Sequence, residues 1–94
     1  MKIRWTNRAA RALSSIHLYI SSDNPPAAAQ VAVVLVDATD QLEKFPHSGR
    51  AGRIEGTREL VIPGLPYIIP YRIVEDVIQI LSVVHTSRKW PEKL

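Results

Sequence analysis

Between Ala9 and Phe45 the apolar residues return every three or four positions, and between Arg58 and His85 that rhythm gives way to runs rich in Ile, Val and Leu. The first period calls for helix and the second for extended strands, so a helical half and a sheet half must share one core within 94 residues. A chain of that length folds as a single domain, residues 1–94, with the basic segment 86–94 as a C-terminal tail.

The junction at Asn24-Pro25 decides how the helical half is arranged. Thr6 or Asn7 can cap a first helix whose apolar face is Ala9, Ala12, Leu13, Ile16, Tyr19 and Ile20, ending near Ser21. Ser22 and Asp23 interrupt the pattern; Asn24 then serves as N-cap and Pro25 as first helical residue, where a missing N–H costs nothing. Ala28, Val31, Leu35, Ala38, Leu42 and Phe45 form one stripe along a second helix of about 20 residues and ~30 Å. Two helices joined by so short a turn pack as a hairpin. Val33 and Val36 lie off the stripe, near Asp40 and Glu43, either as incidental surface valines or as part of a groove for a partner.

The extended half is a meander. Lys2 to Trp5 alternates polar and apolar residues as a short first strand, and residues 46–57, with three Gly, one Pro and no period, predict a loop. Arg58 to Ile62 reads as a strand, Pro63-Gly64 as the centre of a type II turn, Tyr67 to Val74 as the next strand, and Val77 to His85 as a long last one after a tight turn at Glu75-Asp76. Pro70 has no N–H to donate, which predicts a bulge or an unpaired position there. The resulting fold class is α+β: an N-terminal strand, then a two-helix hairpin packed on one face of a mainly antiparallel four-stranded sheet.

If Val74 and Val77 flank the tight turn, Arg72 faces Gln79 and Tyr71 faces Ile80. Parity then puts Tyr67, Ile69, Tyr71, Ile78, Ile80, Ser82 and Val84 on the helix-packed side. Ile68, Pro70, Arg72, Leu81, Val83 and His85 fall on the open side with Glu59 and Val61, where Arg72 can pair diagonally with Glu59. Arg58 leans towards the core unless a bulge at Pro70 flips the parity.

Composition limits the chemistry. Without cysteine there is no disulfide, thiol nucleophile or thiolate metal site, and His17, His47 and His85 lack metal-ligand spacing, so no metal or cofactor is predicted. The longest apolar run, Val31 to Val36, is far short of the ~20 residues of a membrane helix, and the chain reads as cytoplasmic. Eight of the twelve cations are Arg, suited to bidentate contacts with phosphate or carboxylate, although the net charge is only +3. Arg50 and Arg53 in the glycine-bearing loop could cradle an anion, and His85 at a strand end could move a proton.

Taken in order, Trp5 before the first helix, Asn24-Pro25, Gly49-Arg50, Gly56 through Leu60, Tyr67 through Arg72, and Val84-His85 followed by Arg88 through Pro91 resemble the RelE/ParE toxin superfamily over nearly the whole chain, with a ParE-like flavour. The resemblance implies the growth-inhibiting toxin of a bacterial type II toxin-antitoxin module, of the kind tied to plasmid stabilization. Such a toxin is held in a hetero-oligomer by a cognate antitoxin whose disordered segment folds onto the helical hairpin or adds to the sheet. Within the superfamily some members poison DNA gyrase and others cleave mRNA on the ribosome.

Ribonuclease members resemble one another in bringing a third-strand Arg and a C-terminal His, Tyr or Arg onto one phosphate. Here the third-strand Arg is Arg72, about 20 Å along the sheet from His85. The favoured expectation is therefore a non-catalytic poison of gyrase or another target, with Arg50, Arg53 and Arg72 contacting the target and Val33 and Val36 contacting the antitoxin. A ribosome-dependent mRNA endoribonuclease, with Arg58, Tyr67, His85 and Arg88 as its catalytic set, stands beside it as the alternative, and a non-toxic binding module as a lesser one.

Overall fold

The computed structural model describes residues 1–91 and 93–94; Glu92, inside the expected tail, lies outside the described residues. The elements are β1 (Lys2–Trp5), α1 (Asn7–Ser21), α2 (Pro25–Asp40) continued by a 3₁₀ turn (Gln41–Glu43), β2 (Arg50–Ala51), β3 (Arg58–Val61), β4 (Tyr67–Val74), β5 (Val77–Ile80) and β6 (Val84–His85). Among the described residues no helix is long and apolar enough to cross a membrane.

Both helices start where their caps predict. The Thr6 hydroxyl accepts the Ala9 N–H at 3.2 Å, and Asn24 Oδ1 accepts the Ala27 N–H at 3.2 Å with Pro25 at the first helical position. Ala9, Leu35 and Leu42 bury themselves against Tyr67, Ile69, Tyr71, Ile78 and Ile80, which places the hairpin on one face of the sheet. The apolar stripes overrun that face at their far ends. Tyr19 is 76% exposed near the end of α1, and Phe45, 60% exposed, lies beyond α2, which ends at Asp40 with its 3₁₀ continuation at Glu43 and so is shorter than the ~20 residues expected.

The sheet runs β1-β5-β4-β3-β2, with β1 parallel to β5 and the other pairs antiparallel. The two-residue β2 adds to the four expected strands, and β6 is the far end of the expected last one. Gly64 has φ 77° in the turn after Pro63, and Glu75 and Asp76, at φ 49° and 64°, close the β4–β5 hairpin with the two left-handed residues of a type I′ turn. Arg72 faces Gln79 and Tyr71 faces Ile80, as the register predicts, and the Ile62 N–H bonds to Tyr67 O across the Pro63-Gly64 turn.

The expected long last strand is broken. Opposite the three steps from Tyr71 to Ile68, the chain takes four steps from Ile80 to Val84, so residues 81–83 form a bulge facing Pro70. Pro70 cannot donate there, but its carbonyl accepts the Leu81 N–H at 2.9 Å. The extra residue flips the parity of everything after it: Val83 joins the helix-side core, Val84 pairs with Ile68, and His85 pairs with Tyr67. His85 thus lies on the helix side, opposite to the face that uninterrupted pairing predicts.

Candidate functional site

The bulge brings Tyr67, His85 and Arg88 together in a groove of about 530 Å³ between α1 and the tail. Its apolar floor is Ala12, Ile16 and Val83. The Tyr67 and His85 rings meet edge to face with centroids 5.4 Å apart. The Ser87 amide donates to His85 Nδ1 at 3.1 Å, so that nitrogen is an acceptor and the neutral ring carries its proton on Nε2. Ser87 Oγ, 2.7 Å from the same unprotonated nitrogen, donates to it as well.

The remaining arginines of interest lie elsewhere. Arg58 pairs with Tyr71, four positions along β4 from Tyr67 and so about 14 Å from the groove. Its guanidinium donates to the carbonyls of His47 and Gly49 at 3.2 and 2.8 Å. Arg72 lies five positions from Tyr67, about 17 Å, on the opposite face of the sheet. It donates to Gln79 Oε1 at 2.7 Å and not to Glu59, correcting the expected diagonal ion pair.

Glu59 is taken by the loop instead. It is 2% exposed, and Arg50 reaches its Oε1 through Nε and Nη2 at 3.1 and 3.0 Å, while the Arg53 amide donates to Oε2 at 2.9 Å. A carboxylate so far from water has to be paired, and these donors supply the pairing. The Arg53 guanidinium, with Nε 3.7 Å from Oε2, lies 4.1 Å over the Trp90 ring. Arg50 and Arg53 are thus drawn into the scaffold, and through Trp90 the same carboxylate anchors the tail that walls the groove. At the tail's end the Lys93 carbonyl accepts from Arg8 at 2.8 Å.

Close approach shapes this loop. A Cβ on Gly49 would sit 2.6 Å from the Tyr71 ring and hydroxyl. That hydroxyl accepts the Gly49 N–H at 2.9 Å and donates to Pro46 O at 2.8 Å. Burial pushes the Tyr71 pKa above its ordinary value, opposed by the Gly49 hydrogen bond and by the charge of Arg58. Val33 and Val36 stand 58% and 36% exposed on α2.

Sequence reasoning names Glu59 only as a partner for Arg72 and leaves Ser82 and Ser87 out of the site. The usable signal for Glu59 is the spacing of Gly49-Arg50 and Gly52-Arg53. The two glycines let the loop pack closely against Tyr71 and Thr57, and this closeness delivers both arginines to one carboxylate.

Residues 3–90 match the family model described as the ParE toxin of type II toxin-antitoxin systems, parDE. The Y4kP toxin candidate of Sinorhizobium fredii is 53% identical over 93 residues, covering 99% of this chain and 96% of that protein. Toxin RelE2 of Caulobacter vibrioides is 32% identical over 87 residues, covering 93% and 97%. Among solved structures, the fold is similar to a chain of the chromosomal ParDE system from P. aeruginosa, with a TM-score of 0.85, 26% identity and coverage of 93% and 97%. It is also similar to a chain of the RelBE2 toxin-antitoxin complex from Mycobacterium tuberculosis, with a TM-score of 0.64, 26% identity and coverage of 89% and 95%.

Proposed function

Since this chain belongs to the ParE toxin family of type II toxin-antitoxin systems, we propose that it arrests growth by gripping a cytoplasmic protein target, DNA gyrase first among them, and not by cutting RNA. The observation that carries this reading is the separation of the strand arginines, Arg58 and Arg72, from His85. Cleavage through a ribose 2′-OH needs a base, an acid and a cation converging on one phosphate; neither Arg58 nor Arg72 reaches the groove, which leaves only the tail cations Arg88 and Lys89 there among the described residues. His85 is also poorly set as a base, because its unprotonated nitrogen is the one held by Ser87.

On this reading the target meets a surface and not a catalytic centre. Arg72 supplies a guanidinium on the second sheet face, and Arg50 and Arg53, each about half exposed, present the N–H groups that Glu59 does not use. The antitoxin covers α2 around Val33 and Val36 and holds the toxin in a hetero-oligomer, which explains apolar residues off the core stripe.

A second reading has one observation in its favour: Tyr67, His85 and Arg88 do line a single groove. As a ribosome-dependent endoribonuclease the chain would use Tyr67, His85 and Arg88 there, without Arg58. Inducing the chain alone separates the two. Chromosomal DNA breaks preceding any mRNA cleavage, with His85→Gln keeping toxicity within about threefold, is the expected result. Cut mRNA in a translating extract, lost ~100-fold or more in His85→Gln, would replace the gyrase reading with the ribonuclease one.

A further inference from the structure

We propose that the outer face of the α1–α2 hairpin is a self-recognition surface, through which two copies of this chain form a weak two-fold dimer. The dimer does not rest on the toxin reading; if that reading holds, the antitoxin assigned to α2 competes with the second copy.

The charges of the hairpin are placed against its own helices. A helix start favours acidic side chains and a helix end favours basic ones. Here the first turn of α1 holds Arg8 and no Asp or Glu, and the last turn of α2 holds Asp37 and Asp40 and no Lys or Arg. The partition is wider than the turns: residues 1–22 contain no Asp or Glu, and residues 23–43 no Lys or Arg. Among the described residues no ion pair joins the two sets. An acidic partner would satisfy only α1 and a basic partner only α2. A second copy satisfies both, because a two-fold contact makes each pairing twice.

Spacing brings apolar residues into register with those charges. Arg11, Ser14 and Leu18 share one exposed face of α1, and Val33, Asp37 and Asp40 one exposed face of α2, at steps of three and four residues. Beside the first lies a shallow hollow of about 360 Å³, lined by Leu13, Ser14, His17, Leu18 and Ala32. Ser14 and Ala32 are equally far along the chain from Asp23 in the turn, and so are Leu13 and Val33. A two-fold axis parallel to the helices lays α1 of one copy antiparallel on α2 of the other and keeps every residue at its own height. Val33, 58% exposed, then meets the hollow of the other copy at the height of Leu13. Leu18, 68% exposed, meets the small, exposed Ala29. Arg11 comes within two residues, ~3 Å along the axis, of the other copy's Asp37, well inside the reach of its side chain.

The size of the face sets the strength. Two helices about 24 Å long and about 9 Å apart offer a footprint of roughly 500 Å² per copy, or ~1,000 Å² in all, the low end of specific interfaces. Dissociation in the micromolar range follows from so small an area.

Sedimentation of the full chain across the micromolar range is the test. A monomer–dimer equilibrium is expected, weakened at least about tenfold by Leu18→Asp and by either charge reversal, Arg11→Glu or Asp37→Arg. Mixing the two reversed chains should restore association to within about threefold of the wild type, since one contact is then swapped and the other native. Every altered side chain is exposed, and circular dichroism of each variant reports whether it is folded. A chain that stays monomeric throughout would overturn the proposal. So would a dimer that the reversals leave intact or that mixing does not restore, because it would use another face. Growth arrest by the induced chain is scored separately, so a failed toxin reading would leave the dimer standing and remove only the competing antitoxin.

Discussion

The 46–59 segment and the α1–tail groove carry the same kinds of side chain and use them oppositely. In the segment every arginine is engaged: Arg58 by two loop carbonyls, Arg50 and Arg53 by Glu59. In the groove Arg88 and Lys89 have no acidic partner among the described residues. One buried carboxylate makes the difference. Around Glu59 the guanidinium groups of Arg50 and Arg53 become scaffold; in the groove no carboxylate among the described residues does the same for Arg88.

The comparison breaks hardest at Glu59. Replacing it with Ala leaves the Arg53 amide without its acceptor and unpins Trp90. Half-exposed arginines regain water, so the cost falls below that of a fully buried pair, at about 2–3 kcal/mol in urea unfolding. In a Trp5→Phe background the Trp90 emission should shift to the red in the same variant. An unshifted emission would mean that the tail is held by something other than Arg53.

Tyr71→Phe tests the other anchor of the loop. It strands the Gly49 N–H and the Pro46 carbonyl, at about 1–2 kcal/mol near neutral pH. The folded-state pKa of Tyr71 is raised, so its contribution is complete below the unfolded value near 10.0 and is lost as pH climbs through the raised one. The melting temperatures of the wild type and Tyr71→Phe should therefore converge above pH 10. A gap that stays constant into strong alkali would deny the hydroxyl its buried role.

The smallest effects are expected where the side chains are free. Arg88→Ala and Val33→Asp should each change stability by less than about 0.5 kcal/mol, while Val33→Asp weakens antitoxin binding at least tenfold. A large stability loss at Arg88 would show that the groove, like the loop, spends its cations on the fold. Undiminished antitoxin affinity in Val33→Asp would leave that valine as ordinary surface.

What residue order determined by itself is everything set by neighbours in the chain. Thr6 and Asn24-Pro25 start the helices, Pro63-Gly64 turns the meander, and Val74 and Val77 across a two-residue turn make Arg72 face Gln79. Caps, turns and hairpin registers are interactions over a few residues, so local spacing suffices to read them. The tertiary structure decided where local spacing leaves freedom. Pro70 announces a bulge, but the opposite strand chooses which residue is extra, and that choice sends His85 to the helix side beside Tyr67. Helical periodicity carries the core stripe on to Phe45, but the helix ends at Asp40 and its 3₁₀ turn at Glu43, which leaves Phe45 exposed. Glu59 could have met Arg72 across the strands; it is buried with Arg50 and Arg53 because a loop with two close-approach glycines folds over it, and the partner of a buried charge is whichever donor the packing brings within reach.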